Sequence, residues 1–188
     1  HNLITSAVVP DLLRSAGART VRTRVGHSFI KAEMAANDAV FGGEHSAHYY
    51  FRDFFFADTG MLAAMHVLAA LGEAREGAAP VTMSGLAEAY EPYVASGEIN
   101  SRVTDVAAAR ARVVEAYVTQ RGAGPVTVDE LDGLTVSHWD AHPRWWFNLR
   151  ASNTEPLLRL NVEAADEDVM VKVRDDVLGL VRADGGAA

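Results

Sequence analysis

The stretch of sequence that decides the fold of the second half of the chain is residues 145–164, WWFNLRASNTEPLLRLNVEA. Residues 145–149 are aromatic and apolar, and residues 157–164 alternate between apolar and polar side chains, two patterns that are typical of β-strands. The polar residues 150–156 between them are of the types that form turns. The stretch therefore predicts two strands joined by a short loop, which is the connection of an antiparallel pair.

The same loop has the composition of a phosphate site. The Arg150 guanidinium can fork onto two phosphate oxygens, and backbone N–H groups in a tight loop can form an anion-binding concavity. Ser152, Asn153 and Thr154 add two hydroxyls and an amide. An ordinary polar hairpin turn uses the same residue types, so composition alone leaves both interpretations open.

The pattern around this stretch predicts a small α+β domain with an antiparallel sheet, over residues 93–188. A strand is expected at 99–103, a helix at 106–120 and a closing helix at 166–180. Asp132-Gly133 is a strong hairpin signal. The change of character in the sequence places the domain boundary near residues 92–98.

The first half alternates helical and strand patterns, which predicts an α/β domain, a mixed sheet covered by helices, over residues 1–92. Helices are expected at 7–16, 29–36 and 61–71, and strands at 20–25 and near 39–43. His66 falls on the apolar face of the third helix, which predicts a core position.

The composition of the chain excludes several classes of partner and of chemistry. The 188 residues carry a formal net charge of −8 and no cysteine. The negative charge argues against a nucleic-acid or anionic-membrane partner, and the missing cysteine excludes disulfides and thiolate catalysis. No window reaches the ~18 apolar residues of a membrane span. The N-terminal residues do not form a signal peptide, and we expect a fragment that begins partway through a strand. The lack of cysteine fits the reducing cytoplasm, which is the location we expect.

A second candidate site is the loop 42–48, GGEHSAH. Glu44 and Ser46 stand at i and i+2, so in an extended loop they point the same way and suit neighbouring sugar hydroxyls. A capping role is the alternative for both. A metal site with His45 and His48 is the weakest interpretation, because it lacks further ligands, and we assign none.

His27 stands at a predicted strand-to-helix junction, where α/β proteins often place functional groups. It could move a proton or bind an anion. The alternative is a capping or packed histidine, which is favoured in the absence of further context.

Four segments of the chain resemble segments of the α-D-phosphohexomutases, the phosphomannomutase/phosphoglucomutase family. Residues 43–48 are similar to its Gly-Glu-x-Ser-Gly-His sugar-binding loop, and residues 25–31 match the segment before that loop. Residues 150–156 resemble its phosphate-binding loop, and residues 97–100 the start of its last domain. Ala47 stands where the family commonly has Gly. The resemblance covers essentially the whole chain but only the third and fourth of the family's four domains.

The resemblance implies a role for each site residue. Glu44 and Ser46 would hold sugar hydroxyls of a hexose phosphate, and His27 would lie near the transfer site. The phosphate that is not reacting would be held by four residues of the second loop, Arg150, Ser152, Asn153 and Thr154.

The resemblance also implies that a phosphoserine donates its phosphoryl group through a bisphosphate intermediate, assisted by Mg²⁺. The serine and the metal loop are absent here and would belong to N-terminal domains that are missing from this chain. We therefore expect the isolated chain to have no mutase turnover. The alternative is a non-catalytic sugar-phosphate binding or regulatory module.

Overall fold

The computed structural model describes residues 1–76, 81–88, 90–119, 126–152 and 155–183. The chain divides into two compact units, His1–Pro92 and Tyr93–Ala188. Each unit has a sheet of its own. Within the described residues, no helix combines the length and the apolar character needed to cross a membrane.

The first unit is an α/β layer built on a small antiparallel sheet. Its strands follow the order β1-β2-β3. Ile30 and Met34 of the second helix pack with Tyr50 of the middle strand to form a buried cluster. The elements are α1 (Val8–Ser15), α2 (His27–Asn37), β1 (Phe41–Gly43), β2 (Tyr49–Phe51), a 3-10 turn (Arg52–Phe54), β3 (Ala57–Asp58), α3 (Gly60–Ala74) and α4 (Met83–Glu88).

The strand predicted over residues 20–25 is wrong in extent. Thr23 makes a single parallel bridge to Asn2. The Thr23 N–H donates to the His1 carbonyl at 2.9 Å, and the Asn2 N–H donates to the Gly43 carbonyl at 3.3 Å. The bridge is isolated and lies outside the strands of the antiparallel sheet.

The core position predicted for His66 is also wrong. His66 is exposed, as are most residues of α3, and no residue of that helix is buried. Its ring stacks on Phe51, with centroids 5.5 Å apart and planes at 16°. The helix has the predicted apolar face, but no element of the described structure covers it. Burial requires a covering element as well as an apolar surface.

The second unit is the predicted α+β domain with an antiparallel sheet. Its five strands are hydrogen-bonded in the order β4-β8-β7-β6-β5, with every neighbouring pair antiparallel. The elements are β4 (Val94–Arg102), α5 (Val106–Val114), a π-helical turn (Glu115–Thr119), β5 (Thr127–Asp129), β6 (Leu134–Ser137), β7 (Trp145–Ala151), β8 (Leu157–Ala164) and α6 (Glu167–Val181).

The two central strands of this sheet separate an apolar face from a polar one. Phe147 pairs with Val162 and Leu149 with Leu160 on the face that forms the core with α5 and α6. The residues between them point to the opposite face, because side chains alternate along a strand. Those residues form two cross-strand pairs, Asn148 with Asn161 and Arg150 with Arg159.

The predicted Asp132-Gly133 hairpin joins β5 to β6 and lies against the end of β7. Gly133 has φ of 80°, a left-handed conformation that glycine adopts without strain. A Cβ at this position would lie 2.6 Å from the Leu149 carbonyl oxygen and 2.9 Å from the Arg150 Cα. The turn therefore needs glycine both for its backbone angle and for its close approach to the strand that carries Arg150.

Candidate functional site

A pocket of about 440 Å³ lies on the first unit, and it brings together three of the residues singled out from the sequence, His27, Glu44 and Ser46. They come from the start of α2 and from the loop between β1 and β2. The remaining lining residues are Val25, Gly26, Lys31, His48, Tyr50, Ala57 and Asp58.

Glu44 is the organising residue of this pocket. Its side chain is buried, and both carboxylate oxygens accept hydrogen bonds. The Tyr50 hydroxyl donates to Oε1 at 2.6 Å, while the Gly26 N–H and the Asn2 amide donate to Oε2 at 3.1 and 3.4 Å. Glu44 thus ties together three separate segments of the chain. A carboxylate offers about four acceptor positions, so three donors leave room for one more.

The loop around Glu44 is a tight turn that presents Ser46. The Ala47 N–H donates to the Glu44 carbonyl at 3.0 Å, and the Glu44 N–H donates to the His48 carbonyl at 2.9 Å. Ala47 has φ of 63°, the left-handed region that glycine occupies more readily. Ser46 lies exposed at the tip of this turn, on the wall of the same pocket as Glu44.

His48 and Asp58 form an ion pair at the pocket wall. The His48 Nδ1 lies 2.6 Å from the Asp58 Oδ2, and the Tyr49 N–H donates to Oδ1 at 2.9 Å. The hydrogen bond and the charge of Asp58 raise the pKa of the His48 imidazole. The hydrogen bonds from His48 and the Tyr49 N–H lower the pKa of the Asp58 carboxyl. The Nε2 edge of the ring is thereby left as a donor when the ring is protonated.

Three side chains that can carry positive charge line this pocket, together with the carboxylates of Glu44 and Asp58. His27 is the first residue of α2, and Lys31 follows one helical turn later on the same face. With His48 they place three nitrogen-bearing side chains around Glu44 and Ser46. The arrangement can hold a small molecule that has both hydroxyls and a negative charge.

Arg150 occupies a separate candidate site at the end of β7 in the second unit. Its side chain is 13% exposed, and Nη2 lies 3.8 Å from Oε2 of Glu98. Its Nε is buried and has no hydrogen-bond partner among the described residues. A guanidinium is a group with five donors, so this one has donor capacity that the described residues do not use.

The other residues of the predicted phosphate loop are described in part. The Ser152 N–H donates to the Leu157 carbonyl at 2.9 Å, so it closes the hairpin and does not point into a concavity. The predicted roles of Asn153 and Thr154 fall outside the described residues. Arg150 lies at the end of β7, paired with Arg159 of β8, where the loop begins.

Several residues of these sites were not identified as site residues from the sequence. Lys31 could have been found from its i+4 spacing to His27. Asp58 gave no local signal, because it reaches His48 through the pairing of β2 with β3. Arg159 likewise meets Arg150 only through the β7–β8 register.

Within the described part of the chain, no group of three or more His, Asp or Glu residues is placed to hold a metal ion. In the first loop, the Glu44 carboxylate is engaged by protein donors and the His48 Nδ1 by Asp58. These residues do not fit a metal centre, and we derive no chemical step through one on this chain.

The comparisons with known proteins agree on one family. Residues 1–93 match the family model "Phosphoglucomutase/phosphomannomutase, alpha/beta/alpha domain III". Residues 98–180 match "Phosphoglucomutase/phosphomannomutase, C-terminal domain".

Curated relatives carry the same names. The chain is 41% identical over 174 residues to a phosphomannomutase of Salmonella typhimurium, covering 93% of this chain and 35% of that protein. It is 35% identical over 181 residues to a phosphomannomutase of Methanocaldococcus jannaschii, and the match covers 96% of this chain and 37% of that protein. The chain thus spans little more than a third of the length of these relatives.

A solved structure supports the fold. A phosphoglucomutase/phosphomannomutase family protein from Burkholderia thailandensis matches with a TM-score of 0.73 at 24% identity, covering 97% of this chain and 36% of that one. With two consecutive family models matched over nearly the whole chain, for domain III and for the C-terminal domain, this chain belongs to the phosphoglucomutase/phosphomannomutase family.

Proposed function

We propose that this chain is the substrate-holding part of a phosphohexomutase that interconverts hexose 1-phosphates and hexose 6-phosphates. The observation that carries the proposal is the pocket of the first unit, where Glu44 and Ser46 line the same wall among His27, Lys31 and His48. Hydroxyl-binding groups beside cationic ones match the chemistry of a sugar phosphate.

Within this proposal, Ser46 and the remaining acceptor position of Glu44 bind sugar hydroxyls. Lys31 and protonated His48 supply positive charge for an anionic substrate, and the His27 ring offers a hydrogen-bond donor. Phosphoryl transfer depends mainly on positioning and on stabilising the developing negative charge, which is work that such groups can do.

Arg150 is proposed to bind a phosphate group of the substrate, together with Ser152, Asn153 and Thr154. Its under-used guanidinium supports this assignment, since a nearly buried cation with free donors gains more from an anion than an exposed one does. The phosphoserine and the Mg²⁺ that stabilises the transferring group would belong to domains outside this chain.

The binding test uses the 188-residue chain and two probes, mannose 1-phosphate and inorganic phosphate, titrated by NMR at constant ionic strength. Arg150→Ala should weaken the binding of both probes by about tenfold or more, because a charge-assisted pair is lost. Ser46→Ala should weaken the binding of mannose 1-phosphate by about threefold, as expected for one neutral hydrogen bond, and leave the affinity for inorganic phosphate unchanged.

Arg174→Ala is the matched control, because Arg174 lies on α6 and pairs with the neighbouring Asp175 at 2.7 Å. It should leave both affinities unchanged. If Arg150→Ala and Arg174→Ala behave alike, the phosphate assignment fails. Conversion of mannose 1-phosphate or glucose 1-phosphate by the chain alone would contradict the division of labour proposed here.

A further inference from the structure

The polar face of the second sheet places two arginines directly opposite each other. Arg150 on β7 is the cross-strand partner of Arg159 on β8, so both guanidiniums lie on the same side of the sheet. Like charges in this arrangement destabilise a sheet. Such a pair requires either a counterion or a ligand that compensates for the repulsion.

Glu98 supplies that counterion, and it does so unequally. It lies on β4, the neighbour of β8, where its cross-strand partner is Asn161. Its Oε1 is 3.1 Å from Nη1 of Arg159, within hydrogen-bonding distance, whereas its Oε2 is 3.8 Å from Nη2 of Arg150. One carboxylate therefore serves two guanidiniums and leaves a net charge of +1 on the three side chains.

The polar atoms of this face are incompletely paired. Buried atoms without a hydrogen-bond partner among the described residues include Asn148 Oδ1, Arg150 Nε, Arg159 Nε and Asn161 Nδ2. Glu98 hydrogen-bonds Arg159 and lies beyond hydrogen-bonding distance of Arg150. If it moved fully onto Arg150, it would occupy the guanidinium edge that a phosphate needs.

We propose that Arg159 is a positioning residue for the phosphate site: by binding the Glu98 carboxylate, it holds that carboxylate away from Arg150 and leaves the Arg150 guanidinium available for an anion. The inference rests on the proposed role of Arg150 in phosphate binding. It assigns Glu98 as an internal competitor of the ligand, and Arg159 as the residue that restrains it.

This arrangement predicts different effects on phosphate binding for substitution of Arg159 and for substitution of Glu98. In Arg159→Gln, Glu98 loses its nearer partner and pairs with Arg150, so binding of inorganic phosphate should weaken by about fivefold, the strength of a partly exposed ion pair. In Glu98→Gln the competitor is neutral, and phosphate should bind as well as in the wild type or up to about fivefold more tightly.

The double variant Glu98→Gln/Arg159→Gln is the decisive one. With no competing carboxylate, the loss caused by Arg159→Gln should disappear, and the affinity should lie within about twofold of that of Glu98→Gln. Arg159→Lys keeps a cation beside Glu98, so its affinity for phosphate should stay near that of the wild type. If Arg159 were instead needed for a reason other than holding the Glu98 carboxylate, this variant would bind phosphate more weakly.

The probe is inorganic phosphate, titrated at constant ionic strength while the Nε–Hε signal of Arg150 is followed by ¹⁵N NMR. The signal is assigned by its loss in Arg150→Lys, and tryptophan fluorescence confirms that each variant is folded. A double variant as weak as Arg159→Gln overturns the inference, as does an Arg159→Gln variant that binds like the wild type. Phosphate binding that does not depend on Arg150 overturns the proposed phosphate site itself.

Discussion

Removing one oxygen atom from Tyr50 should destabilise the first unit and loosen its pocket. In Tyr50→Phe, the ring stays fully buried in the cluster with Ile30 and Met34, so the hydrophobic contribution is unchanged. What is lost is the 2.6 Å hydrogen bond from the hydroxyl to Glu44. The carboxylate, 7% exposed, keeps the Gly26 N–H and the Asn2 amide as donors.

The magnitude follows from the charge and burial of the acceptor. Hydrogen bonds to charged groups contribute about 1.5–3 kcal/mol, and the buried carboxylate has little water to replace its lost donor. We expect the free energy of unfolding of the first unit to fall by about 1.5–3 kcal/mol. For a unit of this size, that corresponds to a decrease of roughly 1–2 M in the urea midpoint.

The assay must distinguish the two units, because a chain with two units need not unfold in one transition. All three tryptophans, Trp139, Trp145 and Trp146, lie in the second unit, so tryptophan fluorescence reports on that unit. NMR amide signals of the strands β1 and β2 report on the first. Tyr50→Phe should shift the NMR transition and leave the fluorescence transition in place.

Tyr49→Phe is the matched control, the same chemical change one residue earlier on the same strand. Tyr49 is half-buried and stacks on Phe41, with ring centroids 6.4 Å apart. Its stability change should stay within about 0.5 kcal/mol. If the two variants are equally stable, the hydrogen bond to Glu44 does not organise the pocket, and the reasoning is refuted.

Two further predictions concern the other features of these sites. Gly133→Ala should lower the stability of the second unit by about 2–4 kcal/mol in urea unfolding followed by tryptophan fluorescence, because its Cβ would meet the backbone of Leu149 and Arg150 at 2.6 and 2.9 Å. An unchanged midpoint would show that the turn can move away from β7. His48 should titrate above its ordinary pKa of 6.5 in NMR, and Asp58→Asn should remove most of that rise. Since the folded-state pKa of His48 is raised and that of Asp58 is lowered, the stabilisation from their pair is complete below the unfolded pKa of His48 and above that of Asp58. It is lost as the pH rises through the folded pKa of His48, or falls through that of Asp58. A His48 titration that is the same in Asp58→Asn as in the wild type would contradict the ion pair.

The sequence alone determined most of the local structure. The alternation of residues 157–164, the turn residues before them and the Asp132-Gly133 signal lead to the antiparallel sheet, because strand and turn preferences are set by neighbours in the chain. The starts of α5 and α6 are also local features: Asp105 and Asp166 accept from the N–H groups of Ala108 and Val169, as N-terminal capping residues do.

Features that depend on contacts with distant segments of the chain could not be predicted from the sequence. The apolar face of α3 indicated a helix correctly but could not show that His66 would lie exposed on it. The strand predicted over residues 20–25 has the right alternation, yet it makes a single bridge, because the length of a ladder depends on the neighbouring segment.

For the candidate sites, the sequence determined the chemical groups, and the tertiary structure decided how they are combined. Glu44, Ser46 and Arg150 stand out from local composition alone. That Arg159 faces Arg150 is a consequence of the β7–β8 register, and a shift of one residue would turn both side chains to the opposite face of the sheet. That Glu44 is held by Tyr50 and that Asp58 raises the pKa of His48 depend on how the loop 44–48 folds back on β2 and β3. No local pattern can specify such pairs.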